Sequence, residues 1–441
     1  MSPEAPGARG GRPLSAAWAG LLLCGGAVCP EMAWAKEALT LDLSAGATVS
    51  SNPFLDPAGG RAAVGVQTGA DANYRIESER TTLNLGAGGQ SSTWFDGRGT
   101  DLTGSVSADL QHRVSDRASV QLLGHYRYSR SAGYEYLFAP GFGSPLQPGI
   151  PAGTGGAGGA GGTGGTGTTP PIITVPSPLG PGNGAGLPPD ATVIGRRIGQ
   201  HAFGGAINVE LRTSARSTLS LAADANEMRY SDPLLSNYRM FSQAAAYAHR
   251  LTEATTVMAR MSVAEIKYAN GEHDVILTPM VGVSRKLGTN FDLAVYGGAS
   301  LVRSRLPDGT RVRSGSLALS AQLCGHYARR DFCISGERQE LPSALGGVRP
   351  TTSARATYTD RLNLKDTLAL SLAFDRRGRD TQNIFRSQTL AGGTVRYDHR
   401  FGDRLAVFAL AGYTRLWEST VPSRSEVRGT VGIAFRLGDR G

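Results

Sequence analysis

The feature that most constrains this chain is a strict alternation of apolar and polar residues early in the sequence. Residues 39–49 read LTLDLSAGATV, with leucine, alanine or valine at every odd position and a polar residue or glycine at every even one. A period of two places successive side chains on opposite faces of a β-strand. The chain is therefore predicted to be all-β, with an apolar and a polar face on each strand. The pattern recurs at 64–76, 102–114, 203–211, 219–225, 291–295, 317–323, 368–374 and 427–435.

The apolar stretches are too short for membrane-spanning helices. After residue 35 none approaches the roughly 18 to 20 apolar residues that such a helix needs. The 441 residues, 40 % hydrophobic and 18 % charged, are enough to build a large ordered body. Two classes remain, a secreted soluble β protein and a membrane β-barrel, because in lipid only a helix or a closed sheet satisfies every backbone N–H and C=O.

Residues 1–35 have the layout of a secretory signal peptide. Arg9 and Arg12 precede an apolar stretch over 14–29, and Ala-Trp-Ala at 33–35 fits a cleavage site. The two cysteines in this segment would leave with it, and neither has the small preceding residue of a lipoprotein site. An uncleaved anchor is the weaker alternative, because the apolar stretch is short and interrupted by proline and glycine. The mature chain is expected to begin at residue 36.

Short polar turns alternate with longer connections along the chain. The turns repeat a motif: HRVSDRASV at 112, HRLTEATTV at 249, DRLNLKDTL at 360 and HRFGDRLAV at 399. This asymmetry is typical of outer-membrane barrels, with tight periplasmic turns and long outer loops. We predict a transmembrane antiparallel up-and-down β-barrel over 36–441 with about 18 strands and both termini in the periplasm. The barrel would have 16 strands if one predicted hairpin is not a hairpin. The two strands with the weakest sequence pattern are 331–339 and 386–401.

Charged residues recur on the polar face, and tyrosines and tryptophans lie mainly near strand ends. Aromatic strand ends suit the girdles of a membrane barrel. The charges need either a water-filled interior or an exposed sheet face, so a soluble sheet stays the alternative, and the barrel is preferred. The side chains predicted to line the pore are Asp109, Arg113, Arg127, Asp224, Arg260, Asp292, Arg355, Arg396, Asp398 and Arg428.

Residues 131–198 interrupt the strand pattern with a run rich in glycine and proline. This composition buries too little to order itself, so the segment is predicted to be a long, disordered extracellular loop. It could fold into the mouth and constrict it or extend outward as a coat, and the composition favours the second. A phosphate-binding loop is excluded, because no Gly-Lys-Ser/Thr follows the glycines.

No arrangement typical of an enzyme is found in the sequence. There is no G-x-S-x-G motif, and the seven histidines are isolated. His125 and His326 fall on the polar face without an evident serine or carboxylate partner. We therefore predict that the protein is not an enzyme and uses no cofactor; a lipid-modifying hydrolase is the third hypothesis.

Cys324 and Cys333 are the cysteines left after removal of the signal peptide, and they flank a predicted hairpin turn. Pairing about that turn puts both on the polar face and opposite each other, so a disulfide is predicted, acting as a staple near the periplasmic rim. Two thiols nine residues apart do not make a metal site.

The net charge of +9 comes from basic residues that are scattered along the chain. No nucleic-acid partner is therefore predicted. A small excess of arginine on the polar face predicts a mild preference for anionic solutes. The expected partners are outer-membrane lipids and lipopolysaccharide, the barrel assembly machinery, and polysaccharide or small hydrophilic solutes. The sequence predicts no particular oligomeric state.

The segment ATVSSNPFL at 47–55, together with the HRVSDR and HRFGDR turns, resembles β-barrel porins linked to exopolysaccharide gene clusters. The resemblance implies an outer-membrane barrel that accompanies polysaccharide export, with no catalytic residues to carry over. The chain departs from the usual insertion signal, because Phe435 is not the final residue. The leading hypothesis is thus a passive pore or accessory export channel; the alternative is a non-conducting structural or adhesive barrel.

Overall fold

The computed structural model describes residues 36–56, 60–97, 99–130, 197–378, 387–418 and 422–438. The expected signal peptide and most of the glycine-rich segment lie outside the described residues. The described chain forms 18 β-strands. They are β1 (Lys36–Ser50), β2 (Ala63–Glu77), β3 (Thr81–Trp94), β4 (Gly99–Ser115), β5 (Ala118–Arg130), β6 (Gln200–Arg212), β7 (Ser217–Tyr230), β8 (Tyr238–Arg250), β9 (Thr255–Tyr268), β10 (His273–Leu287), β11 (Phe291–Arg305), β12 (Arg311–His326), β13 (Arg330–Pro342), β14 (Val348–Arg361), β15 (Asp366–Arg377), β16 (Gln388–Arg400), β17 (Leu405–Glu418) and β18 (Arg424–Gly438).

The strands form one closed antiparallel sheet. Each pairs with its neighbours in chain order, and β1 also pairs with β18, from Thr40 opposite Gly438 to Ser50 opposite Arg428. Closure leaves no strand of the described sheet without a partner on each side, although β12 pairs with β13 only from Leu319 to His326. The predicted up-and-down barrel is confirmed. The 16-strand alternative is wrong, because both weak elements are strands of the barrel, β13 and β16.

The outer face of the barrel is apolar. Large aliphatic side chains are exposed at alternate positions, such as Leu43, Val281 and Val431, whereas their chain neighbours point to the opposite face. The strands are 12 to 17 residues long, more than the roughly 9 to 11 needed to cross a bilayer at a tilt. In the described part of the chain, no helix is long and apolar enough to cross a membrane.

The connections differ between the two ends of the barrel. At the end that carries both chain termini, which we call the turn end, strands are joined by two to four residues, as at 78–80, 116–117 and 251–254. At the opposite end, the loop end, most connections are longer, from 306–310 to the segment between β5 and β6. The asymmetry predicted from the repeated motifs is therefore present. It places the loops that can reach the interior at one mouth.

Candidate functional site in the barrel interior

The inward side chains form a polar wall over much of the barrel. Asp109 on β4 accepts a hydrogen bond from Gln121 Nε2 on β5 at 3.0 Å. Between them and the loop end, Ser105 and Ser107 are exposed although they face inward, because no strand among the described residues covers them. On this side the interior is open to water.

Ion pairs line the seam where the barrel closes. Arg436 on β18 donates to Asp42 on β1 through Nε at 2.7 Å and through Nη2 at 3.0 Å, and both side chains are buried. Nearer the loop end, Thr430 donates to Thr48 across the same seam at 3.0 Å. Bidentate arginine–carboxylate pairs combine charge attraction with fixed geometry. The seam is thus held by polar contacts on the inner face in addition to its backbone ladder.

The neighbouring inner wall repeats this arrangement along single strands. On β16, Arg396 Nε donates to both oxygens of Asp398 at 3.0 and 3.1 Å, and its guanidinium lies 4.9 Å from the Phe408 ring centroid. On β18, Arg428 Nε donates to Glu426 at 2.9 Å. These contacts hold the arginines against the wall and partly neutralise them. The surface they present is polar with little net charge.

The connection between β13 and β14, residues 343–347, turns into the barrel; we call it the inward loop. Ser236 N–H donates to the Ala344 carbonyl oxygen at 2.6 Å, and Tyr268 Oη donates to the Gly347 carbonyl oxygen at 2.6 Å. Ser236 follows β7 and Tyr268 ends β9, and neither strand neighbours β13 or β14 in the sheet. The loop reaches them by crossing the interior at the loop end.

Two glycines allow the tight end of the inward loop. Gly346 and Gly347 have φ values of +91° and +72°, a region that side chains with a Cβ rarely adopt. A Cβ on Gly346 would also lie 3.1 Å from Glu272 Oε2, between β9 and β10. The loop therefore approaches the opposite wall by backbone, with no side chain in the way.

An apolar cluster on the inner face receives the inward loop. Ala344 and Val348 are fully buried in it against inward side chains of β7 to β11. The sequence predicted a polar, water-accessible interior; in this part of the barrel, apolar inward side chains are instead covered by the inward loop, which removes them from water. Tyr230 and Tyr238, two of the tyrosines near strand ends that were expected in an aromatic girdle, lie in this interior cluster. The cluster comprises Ile198, Met228, Tyr230, Leu235, Tyr238, Met240, Ile266, Tyr268, Ile276, Val302, Ala344 and Val348.

The ten side chains predicted to line the pore all lie at positions of inward parity, spread over eight strands. Arg113 is near the turn end, where its Nη2 donates to the Glu79 carbonyl oxygen at 3.1 Å. Asp224 is buried, accepting hydrogen bonds from Ser242 and Asn226. The structure does not gather the ten into one cluster, so their contact with solutes stays a prediction. The others are Asp109, Arg127, Arg260, Asp292, Arg355, Arg396, Asp398 and Arg428.

The two cysteines predicted to pair lie directly opposite each other on β12 and β13, with Cα atoms 4.0 Å apart and the sulfurs bonded. They are close to the turn end, where the staple was expected. His326 forms a contact with Asp331 at 3.1 Å, and His125 is on a different wall. Among the described residues no group of three or more His, Cys, Asp or Glu could hold a metal ion.

The inward loop is the feature that the sequence interpretation missed. From the sequence, the glycine-rich segment was the loop considered for folding into the mouth, whereas the structure places the inward loop there, within the stretch LPSALGGVRP at 341–350. The sequence does contain a signal for this loop: residues 341–350 include leucine, alanine and valine, where a connection facing solvent is usually polar. The paired glycines mark a sharp backbone reversal.

Comparison with known proteins gives structural matches only. No family model and no curated protein matches the chain. Among solved structures, OccK2 (OpdF) of Pseudomonas aeruginosa in complex with glucuronate matches at a TM-score of 0.44 and 12 % identity, covering 91 % of this chain and 98 % of that one. Pseudomonas aeruginosa OpdK with vanillate gives 0.43 and 11 %, covering 91 % and 99 %. OprD of the same organism gives 0.41 and 10 %, covering 93 % and 99 %.

The structure has the barrel fold that the sequence resemblance implied. An even-stranded closed barrel with an apolar outer band, a largely polar interior and short turns at one end is the architecture of bacterial outer-membrane proteins. The protein is a closed 18-stranded antiparallel β-barrel with the architecture of a transmembrane barrel.

Proposed function

We propose that this protein is an outer-membrane pore through which small hydrophilic solutes diffuse. The observation that carries the proposal is the division of the barrel surface: exposed leucine and valine outside, hydrogen-bonded polar and charged side chains inside. Barrels of 16 to 18 strands are wide enough for an aqueous channel. The turn end would face the periplasm, and the loop end the outside.

The inward loop limits the size of the solutes. It occupies the mouth beside β7 to β11, so solutes pass along the polar wall formed by β14 to β18 and β1 to β5. Pore diameter and the polar groups that line it set what a channel admits. We propose small solutes as the substrates, with a preference for anions. The preference is weak, because the wall arginines Arg396, Arg428 and Arg436 are already paired with carboxylates.

The export role is the finer part of the proposal. The sequence resemblance supports a channel that accompanies exopolysaccharide secretion. For a polymer chain to pass, the inward loop would have to leave its place, since it crosses the interior. Outer-membrane lipids, lipopolysaccharide and the barrel assembly machinery are the proposed partners during insertion and in the membrane.

A non-conducting structural barrel is the second candidate, and the same loop favours it. Ala344 and Val348 are fully buried, so the loop is firmly packed. If the inward loop closed the mouth completely, no solute could pass. The barrel would then act as a surface scaffold.

Current through a planar lipid bilayer separates the two candidates. Purified protein should insert in discrete conductance steps, and a salt gradient should give a reversal potential that is slightly anion-selective. Heat-modifiable migration on gels is the control that the barrel is folded. Folded protein that inserts and carries no current would establish the scaffold and exclude the pore.

A further inference from the structure

Four arginines face outward from one hairpin at the loop end. Arg303 and Arg305 end β11, and Arg311 and Arg313 begin β12. In the antiparallel register Arg303 is opposite Arg313, and Arg305 is opposite Arg311. All four are exposed, and they share the outer face with the aliphatic side chains of the same strands. We call them the arginine quartet.

The arginine quartet begins where the apolar outer band ends. On β11 the outward positions from Phe291 to Leu301 are apolar or glycine, and the next outward residue is Arg303. On β12, Arg313 is followed by outward Gly315 and the exposed Leu317. The guanidinium groups therefore lie at the level where acyl chains give way to lipid headgroups.

The two preceding hairpins, β7–β8 and β9–β10, have basic residues on the outer face at the same end, and there each is balanced by a carboxylate. Lys267 and His273 contact Glu265 at 2.8 and 3.0 Å. On the β7–β8 hairpin, Arg229 and Arg239 contact Glu227 at 2.6 and 3.2 Å.

The arginine quartet has no such balance. Among the described residues, no carboxylate forms an ion pair with it. Asp308, between the two strands, instead accepts hydrogen bonds from Thr310 N and Oγ1 at 2.8 and 2.9 Å. Like charges directly opposite in an antiparallel pair are destabilising. Four arginines in this arrangement favour a bound anion, and the guanidinium fork matches phosphate oxygens in pairs.

We propose that the arginine quartet binds the phosphate groups of a phosphorylated glycolipid anchored in the outer leaflet. This inference rests on the membrane placement in the proposed function. A lipid is favoured over a free anion because Leu301 and Leu317 offer acyl-chain contacts immediately below the charges. The phosphates bridge the two strands and remove their repulsion, so binding stabilises the hairpin.

The experiment compares lipid retention by native mass spectrometry of the full chain in neutral detergent. The probes are diphosphorylated lipid A, the same lipid after removal of both phosphates, and inorganic phosphate. One variant replaces the arginine quartet with glutamine. The matched control makes the same charge change at the other end of the barrel: Arg80→Gln, Arg117→Gln, Arg216→Gln and Arg404→Gln, all exposed in turns.

Wild type and the turn-end control should retain diphosphorylated lipid A, and the quartet variant should bind it at least roughly tenfold more weakly. The dephosphorylated lipid should bind all three proteins weakly. Equal retention by the quartet variant, or equal retention of the dephosphorylated lipid by wild type, overturns the proposal. Inorganic phosphate that displaces the lipid at equimolar concentration also overturns it, because the site would then be a free-anion site.

Stability in detergent without lipid gives a second readout. Relief of the repulsion should leave the quartet variant at least as heat-stable as wild type, whereas wild type alone should gain stability from the diphosphorylated lipid. If the quartet variant does not fold, Arg305→Gln with Arg311→Gln removes one opposed pair and should weaken binding in the same direction. Conductance should be the same in wild type and variant, so loss of the lipid site and loss of the pore are separate outcomes.

Discussion

Two loops of equal length at the same end of the barrel take opposite directions. The inward loop, residues 343–347, crosses the interior and is almost wholly buried. The loop between β11 and β12, residues 306–310, which we call the outward loop, is exposed from Pro307 to Thr310 and held by its own hydrogen bonds. Both contain five residues, and both connect long adjacent strands.

The difference between the two loops comes from the side chains that they carry and from the surface against which each can pack. The inward loop is flanked by Leu341 and Val348 and meets an apolar cluster on the far wall. The outward loop is flanked by Arg305 and Arg311, whose burial in the interior would be costly. Loop length alone therefore does not determine whether a barrel mouth is constricted; apolar residues in the loop, matched by apolar residues inside, do.

Removal of the inward loop should have the largest effect. Replacement of residues 343–347 with Asn-Gly keeps a hairpin connection and takes away the part that crosses the interior. The single-channel conductance should rise roughly two- to fourfold, because the mouth widens. Planar-bilayer recording gives this value directly.

The same replacement of the outward loop is the matched control. Residues 306–310 lie outside the interior, so conductance should stay at the wild-type value. A rise in both variants would mean that shortening disturbs the barrel in general. No rise in the inward-loop variant would contradict its role as the constriction.

A charge placed in the contact should undock the inward loop without shortening it. Ala344 is fully buried. Ala344→Asp would bring a carboxylate into the apolar cluster, which should cost about 3 kcal/mol of docking free energy. The loop should leave the cluster, and the amides of Ser343 and Gly346 should exchange hydrogen quickly. Pro307→Asp in the exposed outward loop should change neither exchange nor conductance; protection that persists in Ala344→Asp would show that the packing is not what holds the loop.

Tyr268→Phe removes one hydrogen bond to the inward loop and keeps the ring. Loss of the contact to the Gly347 carbonyl should cost about 1 kcal/mol. Hydrogen exchange in 343–347 should therefore speed up about fivefold. Tyr358→Phe is the control, because that hydroxyl bonds Asp360 at the turn end. Equal acceleration in both variants would exclude a specific role for Tyr268.

The smallest effect is expected from pH in the outward loop. Hydrogen bonds from Thr310 lower the pKa of Asp308 below its usual 3.8. Because the folded pKa is depressed, the contact is fully present above the unfolded value and is lost as pH falls through the folded one. NMR of the Thr310 amide should follow this titration, and Asp308→Asn should abolish it while the inward loop keeps its protection. A Thr310 signal that titrates at or above 3.8 would contradict the contact.

Much of the barrel could be predicted from the sequence because period two is a local property. Alternation identifies strands, and the paired turn motifs identify hairpins. Even β13 and β16 were located, although β13 pairs with β12 only from Leu319 to His326. The opposition of Cys324 and Cys333 followed from the same hairpin geometry.

The interior could be predicted only in part. Inward parity was right for the pore-lining candidates, but parity does not tell whether an inward residue meets water or another segment. In the sequence, nothing distinguishes Met240, Ile266 and Tyr268 from other strand residues, and only the structure shows the inward loop packed against them. That contact joins residues far apart in the chain, and no local pattern encodes it. Arg436 pairing with Asp42 is a second case, since it depends on which strands close the barrel.

Thiol labelling at two adjacent residues of β4 tests most directly whether the barrel encloses water. Val106 and Ser107 are both exposed, on the outer and inner faces respectively. In outer-membrane vesicles, with Cys324 and Cys333 changed to serine, a charged water-soluble thiol reagent should label Ser107→Cys and leave Val106→Cys unreacted. Equal labelling of the two, or labelling of Val106→Cys alone, would contradict a water-filled barrel set in lipid.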